Sequence, residues 1–568
     1  MSQHVDDDRK QIFQIPAEQL SRQVLRGELT SLKLIEYFIS RIEKTNKLLN
    51  AVCIPLFEEA REEALKLDKW LSEERPTDQD ENLMSEWIEK ILCEKPLFSI
   101  PVTIKESIHV KGTQCTMGLS SRVGILAQDD GILVKRLKNA GAIVLGKTNV
   151  ALMLAADDSD NPVYGRTNNP FDLTRTSGGS SGGEGAIIGA GGSILGIGSD
   201  IGGSIRLPSS HCGIFGLKPT SGRLTLSGHA ELYRGMEAIM SQMGPMGRST
   251  SNLITAMKVL TRYEYDDYSS GFSHESIKHP PVELRDPYKI DISKLRIALF
   301  KDNGILTVPK SVKRGLDEAA QTLRKLGAHV EEIELPKEMK TFENWRSYVH
   351  FLMGDGMSCY RKEIAGSKLT PMAKSIKYVS LLPKWFVGVL GTVVSWLGQT
   401  ILAKSMDSFL PITVSELWGH VANRDDFRRS FFELLDKGRY DAVLCPASSV
   451  NCKHENVPDV VLNMTYVHLF NYLGLPAGVC PITRVSESEQ EENHISCPLS
   501  KNPNELPLKI CNQNFKNSKG LPVCIQVAGR YWREDVVLAI MNALEQELKA
   551  NEDFPLNYDF VKEQVTDK

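Results

Sequence analysis

No Cys-x-x-Cys pair occurs among the eleven cysteines of this 568-residue sequence. Their odd number and apolar settings, such as Cys445 in DAVLCPA and Cys524 in LPVCIQV, argue against a disulfide scaffold and predict buried free thiols in a reducing compartment. Cys452 and His454 in NCKHEN lack a second ligand pair, so no metal site is expected. There is no excess of basic charge. With 67 Lys+Arg against 71 Asp+Glu, the net charge of −4 gives no general pull toward nucleic acid. A fixed-period repeat is also absent, which excludes a solenoid. The opening MSQHVDDDRKQIF carries three aspartates and no apolar core, so it is not a signal peptide and predicts an intracellular chain.

What is present is ordinary for a globular protein: 41% hydrophobic and 24% charged residues, and enough length to bury a sizeable core. Residues 16–50 read as helix. Thr30 and Ser31 offer a cap, and Leu34, Ile35, Phe38, Ile39 and Ile42 recur at helical spacing. Residues 73–86, acidic and polar around Pro76, read as a surface loop, and 486–520 as a polar surface insertion. FSIPVTIK, AIVLGKT, KLRIALF, YDAVLCPA and LPVCIQVAG read as strands, and SVKRGLDEAAQTLRKLG between two of them as a helix. Such alternation predicts an α/β fold with a mainly parallel sheet.

The segment Thr176–Pro208 holds twelve glycines, six serines and no histidine. A flexible linker would be polar, but Ile187, Ile188, Ile194, Leu195, Ile197 and Ile201 lie among the glycines and imply backbone packed within a core. GEGAIIG (183–189) lacks the preceding strand and the spacing of a dinucleotide turn. Gly178–Gly182 matches the G-x-S-x-G elbow, again with no strand before it. An elbow would also need a histidine, and His211, His229, His420, His454 and His468 stand in no diagnostic context. GAIVLGKT (141–148) fits the P-loop expression, yet Ala, Ile, Val and Leu at its centre favour a buried strand over a phosphate cradle.

GGSSGGEGA followed by SDIGGSIRLPSSHCGIFGLKPT resembles the amidase signature. SIPVTIKES, AGAIVLGKTN, YDAVLCPA, GLPVCIQVAGRYWREDVVL and the N-terminal LRGELTSLKLIEYFISRIEKTNKLLNAV resemble other parts of that family, so that the likeness spans about residues 18–548. It implies an α/β amidase-signature fold with a twisted mixed central sheet covered by helices on both faces. An N-terminal helical region (1–95) would pack on a catalytic domain (96–548), with a tail at 549–568. The likeness also implies an amidase that needs neither metal nor cofactor. Ser204 would be the nucleophile, Ser180 in a cis peptide the proton relay, and Lys105 the base. A lysine among Pro101, Val102 and Ile104 can lose its charge by desolvation, and Ser–Lys pairs are an established variant of triad chemistry. Ile201, Gly202, Gly203 and Ser204 would supply backbone N–H donors to the oxyanion. Ser181 and Arg206 would support the site, whereas Ser177, Ser193, Ser199 and Ser209 are expected to bond locally to backbone.

Nineteen uncharged residues separate Lys384 from Lys404, and the stretch 364–406 holds five lysines and no acid. Nineteen residues could span a bilayer by length, but a span would divide the catalytic sheet. Leu382, Trp385, Phe386, Val389, Val393 and Trp396 can share one helical face beside basic flanks, which fits a monotopic cap on an anionic membrane. The segment resembles the membrane-binding cap of the fatty acid amide hydrolase subgroup, and Leu154 stands where that subgroup lines its acyl pocket. The implied substrates are fatty acid amides, N-acylethanolamines foremost, met at the cytosolic face of a membrane. A soluble amidase for small or aryl amides and a glutaminase subunit are the alternatives, and a homodimer is compatible with the sequence.

Overall fold

The computed structural model describes residues 12–76, 80–230, 235–262, 282–339, 341–406, 410–448, 451–459, 464–500 and 502–561. The expectations for residues 1–11 and 562–568 lie outside these. Eleven strands make the main sheet: β1 (Val52–Pro55), β2 (Pro101–Lys105), β3 (Ile143–Thr148), β4 (Leu195–Asp200), β5 (Phe215–Lys218), β6 (Gln242–Gly247), β7 (Arg296–Leu299), β8 (His329–Glu332), β9 (Ala442–Pro446), β10 (Ala477–Arg484) and β11 (Pro522–Gly529). Their order is β1-β3-β2-β4-β6-β5-β10-β11-β9-β7-β8. β2 runs parallel to both β3 and β4, and β7 to both β8 and β9; the other neighbours are antiparallel. The sheet is therefore mixed and not mainly parallel. Unbroken apolar runs report burial on both faces, which β2, β3, β4 and β6 all show, and burial carries no strand direction.

The expected helix over 16–50 is two helices, α1 (Ala17–Arg26) and α2 (Ser31–Leu49). Gly27, at φ 82°, ends the first, and the Thr30 hydroxyl caps the second by accepting the Lys33 N–H. The five apolar residues named on α2 are all in the main core. α3 (Phe57–Glu74) and α4 (Glu81–Glu94) follow. The loop read over 73–86 is confined to the short link between them, because Asp80 caps α4 through the Asn82 N–H. α5 (Gly182–Gly189) packs on β2 and β4, and α6 (Arg206–His211) on β5, β10 and β11. α7 (Lys310–Lys325) and α13 (Glu534–Leu548) cover β10 and β11.

Between them lie α8 (Thr341–Met353), α9 (Pro371–Val379), α10 (Lys384–Trp396), α11 (Thr400–Met406) and α12 (Val414–Lys437). α9 and α10 meet at a bend of 112°, and no single helix among the described residues is long and apolar enough to cross a membrane. The 486–520 segment is not a simple surface loop. Ile495, Cys497, Leu508, Ile510 and Cys511 join the main core. Glu505, fully buried, accepts the Ile401 N–H at 2.8 Å, and Asn502 donates to the Gly398 carbonyl at 3.0 Å. Its polar composition reflects a buttress for the α10–α11 turn, where side chains satisfy exposed helix ends.

Candidate active site

β2 ends on Lys105, a side chain with no solvent exposure. Its Nζ lies 2.7 Å from Ser180 Oγ, 3.0 Å from Ser199 Oγ and 3.4 Å from the Ser199 carbonyl. Burial pushes the ammonium down to about 7, against the opposing pull of Asp200, Glu184 and Glu106. A lysine so placed is half neutral near pH 7 and can take a proton. Glu184, the acid inside GEGAIIG, is buried on α5 beside Thr103 Oγ1 (2.6 Å) and Thr148 Oγ1 (2.9 Å). Burial raises it to about 8, so it holds its proton at neutral pH.

Ser180 follows a cis Gly179–Ser180 peptide and is almost completely buried. Its loop is tied down by the Gly179 N–H to Asp157 Oδ1 (3.1 Å) and by Ser159 Oγ to the Gly178 carbonyl (3.1 Å). The next residue, Ser181, donates its N–H to the Ser204 carbonyl at 3.2 Å, joining the two serine segments. Ser204 is half-buried, and its hydroxyl has no hydrogen-bond partner among the described residues.

Asp200 closes β4 and organises the turn carrying Ser204. It accepts the N–H groups of Gly203 (2.8 Å) and Ile205 (3.1 Å) and pairs with Arg206. Burial alone would raise the Asp200 carboxyl, but Arg206, by charge and hydrogen bonds, holds it well below the usual carboxylate range. Arg206, itself fully buried, also donates to the Val467 carbonyl (2.6 Å), Gln526 Oε1 (2.7 Å) and Asn471 Oδ1 (2.5 Å). It is a strut that locks the Ser204 turn to β11 and the 467–471 segment. Of the four residues expected to donate to an oxyanion, Gly203 is committed to Asp200. The N–H groups of Ile201, Gly202 and Ser204 have no partner among the described residues. Gly203 sits at φ +115°, and a Cβ there would meet Val467 Cγ2 at 2.5 Å. A Cβ at Gly202 would collide with the hydroxyl of Tyr348, on α8, which donates to the Ile201 carbonyl at 3.3 Å.

The serines expected to be local are of three kinds. Ser193 and Ser209 bond to the carbonyls of Leu195 and Ile205. The Ser177 hydroxyl is buried without a partner among the described residues. Ser199 departs from expectation, because its Oγ faces Lys105 and, at 2.9 Å, His229 Nε2. The sequence pattern missed both Ser199 and His229; the only signal was that Ser199 is two residues before the Ile201-Gly-Gly-Ser204 turn, on the strand beside Lys105. His454 reaches Asn168 Oδ1 at 3.1 Å, and Cys452 is buried. All eleven cysteines are free thiols. Lys147 of the P-loop look-alike is buried on β3 with its Nζ on the Gln114 carbonyl (2.6 Å).

Leu154 is half-buried beside a satellite apolar cluster of Met117, Leu119, Leu152, Met153, Tyr360 and Ala373. The cluster begins next to the Ser180 loop, where the Ala151 N–H faces the Ser180 carbonyl at 3.4 Å, and ends on α9. Beyond it, Trp385 is 71% and Trp396 86% exposed, with Phe386, Val389 and Val393 also exposed and Leu382 half-buried.

The amidase family profile matches residues 33–538. The chain is similar to fatty acid amide hydrolase 1 of Caenorhabditis elegans, 29% identical over 94% of this chain and 89% of that one. It is 30% identical to fatty-acid amide hydrolase 2-B of Danio rerio over 84% of this chain and 85% of that one. A solved fatty acid amide hydrolase structure superposes with a TM-score of 0.77 at 25% identity, covering 97% of this chain and 87% of that one. A profile match over most of the chain, on a mixed sheet whose central strands present a buried lysine to the glycine–serine segment, establishes that this chain belongs to the amidase family and is an amide-hydrolysing enzyme.

Proposed function

We propose that the enzyme hydrolyses fatty acid amides, N-acylethanolamines and primary fatty amides foremost, through Ser204, Ser180 and Lys105. Ser204 Oγ attacks the amide carbonyl while Ser180 takes its proton and passes its own to neutral Lys105. The N–H groups of Ile201, Gly202 and Ser204 face the developing oxyanion. The tetrahedral intermediate expels the amine as Ser180 returns a proton to it, leaving an acyl group on Ser204. Protonation matters because an unprotonated amine leaves poorly. Water then releases the fatty acid by the same proton route in reverse. No metal or cofactor enters any step.

The observation that carries the acyl specificity is the apolar cluster running from Leu152–Leu154 beside Ser180 to α9, with the exposed tryptophans of α10 beyond it. An acyl chain leaving a bilayer would meet apolar side chains along that route. We place α9 and α10 as a monotopic cap on the cytosolic face of a membrane, whose anionic lipids the five lysines of 364–406 would attract. A homodimer, with two caps on one surface, fits this arrangement.

Hydrolysis of oleoyl, palmitoyl, arachidonoyl and short-chain amides, with and without liposomes, tests the substrate class. Preference for long acyl chains, increased by liposomes, is expected; preference for short or aryl amides overturns it. Ser204→Ala should abolish both hydrolysis and labelling by a fluorophosphonate, and Lys105→Ala should lose about 10²–10⁴-fold with partial recovery at high pH. Hydrolysis should rise through pH about 7, where buried Lys105 becomes neutral. Labelling of Ser204→Ala, or a wild-type rate in Lys105→Ala at neutral pH, would sink the assignment.

A further inference from the structure

We propose that His229 is a positioning residue that fixes, through Ser199, the direction in which Lys105 presents its lone pair to Ser180. This rests on the reading of Lys105 as the base. A chain of polar atoms links the groups: His229 Nε2 is 2.9 Å from Ser199 Oγ, Ser199 Oγ 3.0 Å from Lys105 Nζ, and Nζ 2.7 Å from Ser180 Oγ.

The direction of this chain decides whether the base can work. A neutral lysine has two N–H bonds and one lone pair. To accept the Ser180 proton its lone pair faces Ser180, so its N–H bonds face the Ser199 hydroxyl and carbonyl. A Ser199 hydroxyl that accepts from lysine must send its own proton elsewhere, and His229 Nε2 is its remaining partner. Nε2 then accepts, and the ring proton sits on Nδ1. The opposite tautomer reverses every bond. Nε2–H donates to Ser199, the Ser199 proton caps the lysine lone pair, and Lys105 can only donate to Ser180.

Three observations support a dedicated role. His229 Nδ1 is enclosed without a hydrogen-bond partner among the described residues. An unpaired buried ring nitrogen is a cost that an apolar side chain of similar size would avoid. The ring is held through Nε2 alone, with Ser107 Oγ as a weaker second partner at 3.3 Å. The backbone fixes His229 against the segment that follows β2: Ile108 and His229 form an antiparallel bridge, flanked by His109 N–H to the Gly228 carbonyl (2.7 Å) and Ala230 N–H to the Ser107 carbonyl (2.8 Å). The ionisable groups around the chain are Lys105 and His109 facing His229, and Asp200, Glu184 and Glu106 facing Lys105. Burial, then Lys105 and His109, hold the imidazole down to about 3, so it stays neutral at working pH.

The test measures the rate of fluorophosphonate labelling against pH, which needs the nucleophile and base but no particular amide. Wild type, Lys105→Ala, His229→Leu and His229→Gln are compared after checking their folding by circular dichroism. In His229→Leu the plateau rate should fall about tenfold, less than the ~10²–10⁴-fold expected for losing the base. Its acid limb should move to lower pH, because the freed Ser199 proton caps the lysine lone pair. His229→Gln, whose amide oxygen can accept from Ser199, should restore the limb and most of the plateau. A wild-type plateau and limb in His229→Leu, with Lys105→Ala inactive, would overturn this inference alone. Equal loss in both His229 variants with an unmoved limb would also overturn it, as a structural role. Wild-type labelling by Lys105→Ala would overturn the reading of the base, and this inference with it.

Discussion

Lys105 and Glu184 carry opposite pH signatures in one buried site. Folded Lys105 titrates at about 7 and the unfolded side chain near its ordinary 10.5. Between those values the unfolded chain binds the extra proton, so this group makes stability rise with pH, and its cost is fullest below 7. Glu184 titrates at about 8 when folded against an ordinary 4.5, so it makes stability fall as pH rises from 4.5 to 8. Lys105→Met should therefore be inactive yet more stable than wild type at pH 6, by more than about 1 kcal/mol. The gain should shrink toward pH 10, as followed by denaturant unfolding. A Lys105→Met protein less stable than wild type at pH 6 would contradict the burial cost. At this scale Lys105, Ser180 and Ser204 are nominated by the likeness of their motifs to the amidase signature; the residues alone show a lysine in an apolar strand and six serines among glycines. Ser199 and His229 were not legible. They meet only because residues 107–109 bridge to 228–230, a pairing that leaves no periodic trace.

At the scale of elements, α9 and α10 show how composition and position separate. The apolar run between Lys384 and Lys404 was visible at once; the 112° bend was not, since it depends on the turn between two helices. The 364–406 segment is held at both ends. Arg122 pairs with Glu363, Ser121 and Ser367 hydroxyls meet at 2.9 Å, and Glu505 secures the far side at Ile401. β2, β3, β7, β9 and β11 were legible as elements because each is a short apolar run, whereas LGIGSD of β4, QMGPMG of β6 and HVEE of β8 carry no such signal. Their directions were not, and helical alternation alone overestimated the parallel share. If α10 docks on lipid, Trp385→Asp should cut flotation with anionic liposomes roughly tenfold while fluorophosphonate labelling in solution is kept. Unchanged flotation, or parallel loss of labelling, would count against an interfacial helix.

Across the whole molecule, Lys105 ends an interior strand of one continuous sheet, Ser180 lies in the loop before α5 and Ser204 in the turn after β4, and the Leu152–Leu154 cluster runs from beside the Ser180 loop to α9. If α9 and α10 dock on lipid as proposed, the bend between them acquires a mechanical meaning. A straight apolar helix pair could thread both leaflets and leave their areas balanced. A docked pair bent by 112° would wedge into the near leaflet, spreading its headgroups without touching the far one. Binding should therefore be stronger to small, highly curved vesicles, whose outer leaflet is already splayed, than to large flat ones of the same composition. Sedimentation with vesicles of graded diameter measures this. On that reading lateral pressure would control the enzyme: lipids that tighten the leaflet would push the pair out and close the proposed route of an acyl chain to Ser204.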